Sequence, residues 1–158
     1  MPTAPPAVRV FHPEDRHITA AFLGSCGQAA AEEAFASARQ VAGPIDRATF
    51  GSVKALGNPK RPSSFSALLD DGNEPLSQVI ATWRNRWLNL AGKSSDPRPP
   101  LPHCTLARAT RRATDAQRER AVAWGLALPT LGAELQLRPL ALYTWTSDRR
   151  ERLFRIWS

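Results

Sequence analysis

The sequence predicts an α+β fold in which antiparallel strands carry helices on their outer faces. Apolar residues recur at strand spacing in some segments and at helix spacing in others. The predicted elements follow the order β-α-β-β, then α, then β-α-β-β, so the two halves have the same layout. With 158 residues, 42% of them apolar and 22% charged, the chain is long enough for one domain with its own core. We therefore expect a single domain over residues 9–158 after a loose, proline-rich lead-in at 1–8.

The first half is predicted to contain a strand, a helix and two more strands. The run HITAAFL, His17–Leu23, is typical of a short strand. Apolar residues at helical spacing predict the helix: Ala31, Ala34, Phe35, Ala38 and Val41. Two strands are predicted after it, at Ile45–Leu56 and Ser64–Leu69, with a turn-rich segment between them.

The second half opens with the clearest helical pattern in the chain. Its apolar stripe runs from Leu76 to Leu90, with Asn73 placed to cap it. A proline-rich loop then leads to a predicted strand at His103–Ala107. Thr114 and Gln117 have the spacing of a capping box and predict a third helix. The chain ends in two predicted strands, Leu135–Trp145 and Arg152–Trp157.

The charge and the cysteine content limit the partners and the compartment. There are 21 Lys+Arg against 14 Asp+Glu, a formal charge of +7, and most of the basic residues are Arg. Arg offers a planar fork of donors that fits phosphate, which favours a phosphate-bearing partner, although compositional drift toward Arg explains the charge equally well. Two cysteines, no signal-peptide pattern and no long apolar run predict a cytoplasmic protein with no membrane partner.

Two of the three histidines begin the same pattern, His-x-Thr-apolar. The copies are HITA at 17–20 and HCTL at 103–106. Residues i and i+2 of a strand share a face, so His17 lies beside Thr19 and His103 beside Thr105. If the two strands are neighbours, two imidazoles and two hydroxyls meet on one face. Either copy alone is more often structural, whereas the matched pair favours catalysis.

This set of groups suits phosphoester chemistry that needs no metal ion or other cofactor. One imidazole can accept a proton from an attacking hydroxyl or water while the other donates one to the leaving oxygen. An ordinary pKa near 6.5 allows one ring to be neutral and the other charged. The hydroxyls can donate hydrogen bonds to phosphate oxygens on which charge develops.

The paired motifs resemble those of the two-histidine phosphoesterase superfamily. Within it, RVFHPEDRHITAAFLG and LPHCTLAR are similar to the two motifs of the RNA 2′,3′-cyclic phosphodiesterases, also called 2′-5′ RNA ligases. The resemblance implies a bilobal fold with two pseudo-symmetric antiparallel-sheet lobes, outer helices and a central cleft. It also implies hydrolysis of 2′,3′-cyclic phosphates of RNA ends or nucleotides to 2′-phosphates, with reverse 2′-5′ ligation in some members.

By position, the resemblance assigns a role to each motif residue. His17 would donate a proton to the leaving oxygen, His103 would accept one from water, and Thr19 and Thr105 would hold the phosphate. Arg108 matches an Arg that follows the second motif and would also contact the phosphate. Members usually have an extra strand and helix before the first motif, whereas sixteen residues precede His17 here. We therefore expect part of the substrate wall to be absent, altered or supplied by another chain.

Further substrate contacts are expected near the motifs. Strand alternation turns Arg108 away from Thr105 unless the strand ends or bulges near Ala107. Candidates for stacking on a base are Phe11, Phe50, Phe65, Tyr143 and Trp145, of which Phe11 and Tyr143 are our choices. The arginines fall into two clusters that could follow an RNA backbone or simply be solvated: 108, 111, 112, 118 and 120, and 149, 150, 152 and 155. Lys60-Arg61 is a weaker candidate of the same kind.

Other interpretations receive less support. The His and Cys residues lack the spacing of a zinc site, so no metal ligand is predicted, and His12 is expected to be an exposed loop residue. Cys104 is expected to be a buried apolar residue rather than a nucleophile. An RNA-binding module without turnover, or a phosphoesterase for another cyclic nucleotide, remains an alternative. We expect a monomer rather than a dimer.

Overall fold

The computed structural model describes residues 2–41, 46–59, 61–137, 140–150 and 152–157. It is an α+β fold, as the sequence predicts, with three helices and two antiparallel sheets in the described part of the chain. The strands are β1 (Val8–Val10), β2 (Arg47–Asn58), β3 (Arg61–Leu69), β4 (His103–Ala109), β5 (Glu134–Gln136), β6 (Tyr143–Trp145) and β7 (Phe154–Ile156). The helices are α1 (Gln28–Ala38), α2 (Asn73–Leu90) and α3 (Asp115–Leu126), and Pro13–Asp15 forms one turn of 3₁₀ helix.

The larger sheet has five antiparallel strands in the order β1-β4-β3-β2-β5. Helix α3 packs on one face, where Ala121 and Gly125 are buried against the sheet and leave room for the ring of Phe65. Small residues at those positions let the helix approach the strands closely, and the main core forms between them. The opposite face of the sheet is therefore available to the polar residues of β3 and β4.

A second core lies between α1 and α2. Its buried residues are Ala34 and Ala38 of α1 together with Trp87 and Ala91 at the end of α2. Gly72 precedes α2 with φ of +78°, a conformation that suits glycine, and the helix begins at Asn73 without a side-chain cap. The expected cap at Asn73 is therefore wrong. The capping box of Thr114 and Gln117 at the start of α3 is confirmed.

The predicted strand His17–Leu23 is wrong as a continuous strand. Only Ile18 pairs with the sheet, through an isolated antiparallel bridge to Cys104. Ala20, Ala21 and Leu23 then pack against the α1–α2 core, and Phe22 is 75% exposed. The segment leaves β4 after one bridge because its small apolar residues complete the second core instead.

The predicted strand Leu135–Trp145 is divided between the two sheets. Leu135 pairs with Ala48 of β2, whereas Tyr143 pairs with Ile156 of β7. Each partner strand offers only a three-residue ladder to this segment, so two short strands replace a long one. The other predicted strands of the chain are confirmed within a few residues; Ile45, the expected start of the second, lies outside the described residues.

Candidate active site

The two His-x-Thr segments lie side by side. The antiparallel bridge between Ile18 and Cys104 places His17 opposite Thr105, and Thr19 opposite His103. Ile18 and Cys104 themselves contribute to the core, so alternation directs their neighbours to the opposite side. The four residues chosen from the sequence therefore meet on the face of β4 that faces away from α3.

Both imidazoles are held by the same local hydrogen bond. Nδ1 of His17 lies 2.8 Å from the carbonyl oxygen of Asp15, and Nδ1 of His103 lies 2.6 Å from that of Leu101. A carbonyl can only accept, so Nδ1 carries the proton in each ring and donates it to the residue two positions earlier. In the neutral rings, Nε2 is then unprotonated and free to exchange a proton with a substrate. The same hydrogen bond from Nδ1 to a main-chain carbonyl thus orients the two candidate acid–base groups.

Aromatic rings of the smaller sheet enclose His17. The Tyr143 ring stacks on it at 4.6 Å between centroids, and the Phe154 ring lies nearly perpendicular to it at 5.1 Å between centroids. Burial lowers the pKa of His17, and the positive charges of Arg108 and His103 add to the lowering, against an opposing effect of Asp15. The free protein therefore keeps this imidazole neutral to lower pH than an exposed histidine.

A bulge in β4 brings Arg108 to the site. Phe65 pairs with Ala107 but Ser66 pairs with Thr105, so one extra residue, Leu106, is inserted on β4. Leu106 and Ala107 are both buried in the core, and the alternation is reversed beyond them. The strand therefore bulges near Ala107, and Arg108 lies on the same face as Thr105.

Arg108 is placed between an aromatic ring and a second Arg. Its guanidinium lies 5.4 Å from the ring centroid of Phe11, which is only 4% exposed. Arg9 of β1 is its direct cross-strand partner. Like charges directly opposite one another are unfavourable in a sheet, so this pair marks a position where an anion would be stabilising. Phe11 underlies Arg108 here, while Tyr143 contacts His17 directly.

Two buried serines, which are not among the candidates predicted from the sequence, extend the polar face. Ser66 is fully buried, and its Oγ lies 3.4 Å from Thr105 Oγ1 and 3.0 Å from Ser64 Oγ. Lys54 is the cross-strand partner of Ser66 on β2. The alternation SSFS in a predicted strand was the available signal, since it puts both hydroxyls on one face and Phe65 on the other.

Asp15 was also missed, although it is the most buried charged residue of the site. The carboxylate is 1% exposed and accepts hydrogen bonds from the N–H groups of Leu153 (2.8 Å) and Phe154 (3.1 Å) and from Nε of Arg152 (3.1 Å). Burial raises the pKa of Asp15, but these three donors outweigh burial and hold it below its ordinary value. Only its position two residues before His17 could have indicated a role.

The remaining candidates lie elsewhere or are engaged. Phe65 is in the core, Phe50 packs against it, and Trp145 stacks on Phe154 at 4.8 Å. Burial raises the pKa of the Cys104 thiol to about 11, so Cys104 is no nucleophile at neutral pH. His12 is exposed and accepts a hydrogen bond from the Glu14 N–H at the start of the 3₁₀ turn.

Two arginines of the second cluster form ion pairs, Arg150 with Asp148 and Arg152 with Asp15 and Glu14. Arg118 of the first cluster donates a hydrogen bond to the carbonyl of Arg111. Arg61 pairs with Asp115, and Lys60 lies outside the described residues. The ion pairs reduce the positive charge that the second cluster and Arg61 offer to an RNA backbone.

The described residues contain neither a metal-binding cluster nor a membrane-spanning helix. Among them, no three His, Cys, Asp or Glu side chains come together as a metal-holding group. No helix among them is both long and apolar enough to cross a membrane.

Comparison with known proteins supports the fold. The solved structure of TT0787 from Thermus thermophilus superposes with a TM-score of 0.69, covering 97% of this chain and 81% of its own. This fold has been seen before. The two sequences are 16% identical, so the likeness concerns architecture alone. No family model and no curated protein matches the sequence.

Proposed function

We propose that this protein is a two-histidine phosphoesterase that hydrolyses 2′,3′-cyclic phosphates of RNA ends or nucleotides to 2′-phosphates. The observation that carries the proposal is the pairing of two His-x-Thr segments in which both imidazoles donate Nδ1–H to the carbonyl two residues earlier. A purely structural histidine has no need of a matched partner across the strand. The arrangement leaves two Nε2 atoms for acid–base work on one bound phosphate.

The proposed reaction divides the proton transfers between the two rings. His103 Nε2 accepts a proton from water as the water oxygen bonds to phosphorus. The bond from phosphorus to the 3′ oxygen breaks, and His17 Nε2 donates a proton to that oxygen. A 2′-phosphate and a free 3′-hydroxyl result, and the two rings exchange protons with solvent to return to their starting states. No metal ion or cofactor is required at any step.

Binding of the substrate would prepare His17 for its role as the acid. Burial and neighbouring positive charge favour the neutral ring in the free protein. A phosphate diester brings a negative charge against the imidazole, which favours the protonated form. Thr105, Thr19 and Arg108 would donate hydrogen bonds to the non-bridging oxygens as charge develops on them. Ser66 would direct the Thr105 hydroxyl, since the two oxygens are within 3.4 Å.

The bilobal two-histidine architecture is part of the same proposal. The five-stranded sheet would belong to one lobe, and the β6–β7 sheet with α1 and α2 to the other. His103 lies on a strand of the first, and His17 contacts Tyr143 and Phe154 of the second. Hydrolysis would then take place between them, with Tyr143 at the wall of the cleft.

An RNA-binding module without turnover is the second candidate. The cross-strand pair of Arg9 and Arg108, on a chain of formal charge +7, favours it. Such a protein would bind RNA with strong salt dependence but would not consume a cyclic phosphate.

Hydrolysis assays with substituted histidines test the proposal. The substrates are a 2′,3′-cyclic mononucleotide and an RNA ending in a 2′,3′-cyclic phosphate, with excess EDTA present throughout. We expect turnover by the wild type and a loss of about 10²- to 10⁴-fold in His17→Gln and in His103→Gln. His12→Gln is the matched control, since His12 is exposed and outside the pair, and it should retain full activity.

Two results would contradict this proposal. Wild-type turnover in a folded His17→Gln or His103→Gln protein would exclude the acid–base pair. Salt-sensitive RNA binding with no hydrolysis of either substrate by the wild type would favour the binding module.

A further inference from the structure

Asp15 connects the first motif to a distant part of the chain. Its side chain binds the start of β7, through the N–H groups of Leu153 and Phe154 and Nε of Arg152. Its main-chain carbonyl accepts the Nδ1–H of His17. One residue therefore contacts the smaller sheet with its carboxylate and the candidate acid with its backbone.

The Asp15 carboxylate is too buried to be a surface ion pair. Burial of a carboxylate that is 1% exposed is strongly destabilising unless its lone pairs accept hydrogen bonds. Three donors satisfy it, all from residues 152–154, which enter β7. Arg152 also pairs with Glu14 and donates to the carbonyl of Phe154, so further contacts support the attachment of Asp15 to β7. Such a network specifies one position for β7.

The attached strand in turn determines what surrounds His17. Phe154 is one of the residues whose N–H binds Asp15, and its ring lies nearly perpendicular to the His17 ring. Tyr143 pairs through β6 with β7 and stacks on the face of His17. The His17 ring is thus held at Nδ1, by stacking with Tyr143 and by the perpendicular ring of Phe154. Within the described residues, His103 has the Nδ1 contact but no such aromatic neighbours.

We propose that Asp15 is a positioning residue: by docking β7 it keeps Tyr143 and Phe154 against His17 and so sets the orientation and the solvent exposure of that imidazole. Its importance for turnover rests on the proposed function, whereas its effect on the imidazole does not. Among the described residues, the charged and titratable groups that face His17 are Asp15 itself, Arg108 and His103 from β4, and Tyr143 from β6.

The test is an NMR titration of the His17 imidazole in the full chain, with Asp15→Asn beside the wild type. Asn has the same shape but cannot pair with Arg152, and its amide N–H₂ opposes a backbone N–H. Loss of the Asp15 charge by itself lowers the midpoint of His17, whereas hydration of a ring that Tyr143 and Phe154 no longer enclose raises it. We expect hydration to dominate and the midpoint to rise by up to about one pH unit. A fall in the midpoint with an unchanged tautomer would reflect the lost charge alone and would overturn the positioning role. The nitrogen shifts of a fixed Nδ1–H tautomer should change toward those of a mixture. If the enzyme is active, kcat should fall roughly 10- to 100-fold, with less change in KM.

Asp148→Asn is the matched control. Asp148 lies in the β6–β7 connection and also pairs with an Arg, but the pair is exposed. Asp148→Asn should change neither the titration of His17 nor kcat. If Asp15→Asn does not fold, Arg152→Gln removes the ion pair but keeps the carboxylate and its two backbone donors, and it should shift the titration in the same direction by less.

The possible results separate this inference from the proposed function. Unchanged titration and tautomer of His17 in a folded Asp15→Asn protein, or in Arg152→Gln where Asp15→Asn fails to fold, would overturn the positioning role. A shifted titration in a protein that hydrolyses no cyclic phosphate would support the positioning role while the proposed function fails.

Discussion

Replacing Arg108 with Met tests whether the bulge in β4 serves the proposed reaction. The bulge shortens the path from Thr105 to Arg108 to about two strand positions, or roughly 7 Å, and puts both side chains on one face. A bound phosphate next to Thr105 is then within reach of the guanidinium. Loss of one charge-assisted hydrogen bond costs about 1.5–3 kcal/mol. We therefore expect kcat/KM to fall roughly 10- to 150-fold.

The same variant should have a small effect on stability. The variant loses the contact with the Phe11 ring, which contributes about 0.5–1 kcal/mol at an accessible site, and relief of the repulsion from Arg9 offsets part of that loss. Steady-state hydrolysis of the cyclic phosphate, with urea unfolding in parallel, separates the two effects. Arg120→Met, on the exposed side of α3, is the control for loss of one positive charge.

The outcome for Arg108→Lys sharpens the interpretation. Lys restores the charge but not the planar fork, so partial recovery is expected. Unchanged kcat/KM in a folded Arg108→Met protein would refute the reasoning, because the bulge would then direct Arg108 to a face that the substrate does not use.

Two further predictions concern pH and packing. Because the pKa of His17 is lowered in the folded protein, the unfolded chain binds more protons below about pH 6.5, and the free energy of unfolding should decline as pH falls through the folded pKa. Urea unfolding between pH 7.5 and 5 should show a weaker decline in His17→Gln, and equal slopes would contradict the burial of the imidazole. In α3, a Cβ at position 125 would overlap the ring of Phe65, which is 1% exposed. The free energy of unfolding of Gly125→Ala should therefore fall by about 1–2 kcal/mol, since overpacking outweighs the gain in helix propensity. Glu119→Ala, on the exposed side of α3, is the control. A stabilised Gly125→Ala protein would refute this packing.

The helices and the central strands could be predicted from the sequence because local chemistry decides them. The stripe of apolar residues in α2 and the capping box of α3 act within a few residues, and both are found in the structure. The segment after His17 could not be predicted in this way. It has the composition of a strand, but Ala20, Ala21 and Leu23 are drawn to a core built by α1 and α2, which lie later in the chain.

The candidate site shows the same division. The motifs HITA and HCTL identified His17, Thr19, His103 and Thr105, because a two-residue period puts each His and Thr on one face of any extended segment. Sequence spacing alone left the direction of Arg108 open, since a bulge depends on how two strands pair.

The residues themselves thus specify which chemical groups are present and which of them share a face. Their arrangement across the chain depends on contacts between residues 39 to 140 positions apart: Ser66 with Thr105, Ile18 with Cys104, Asp15 with Leu153 and Arg9 with the carbonyl of Arg149. Such contacts carry no local pattern, because burial and unsatisfied hydrogen-bonding groups are created only when distant segments pack together. The surroundings of His17 are therefore determined only in the folded chain, although the four-residue motif HITA singles out His17 in the sequence.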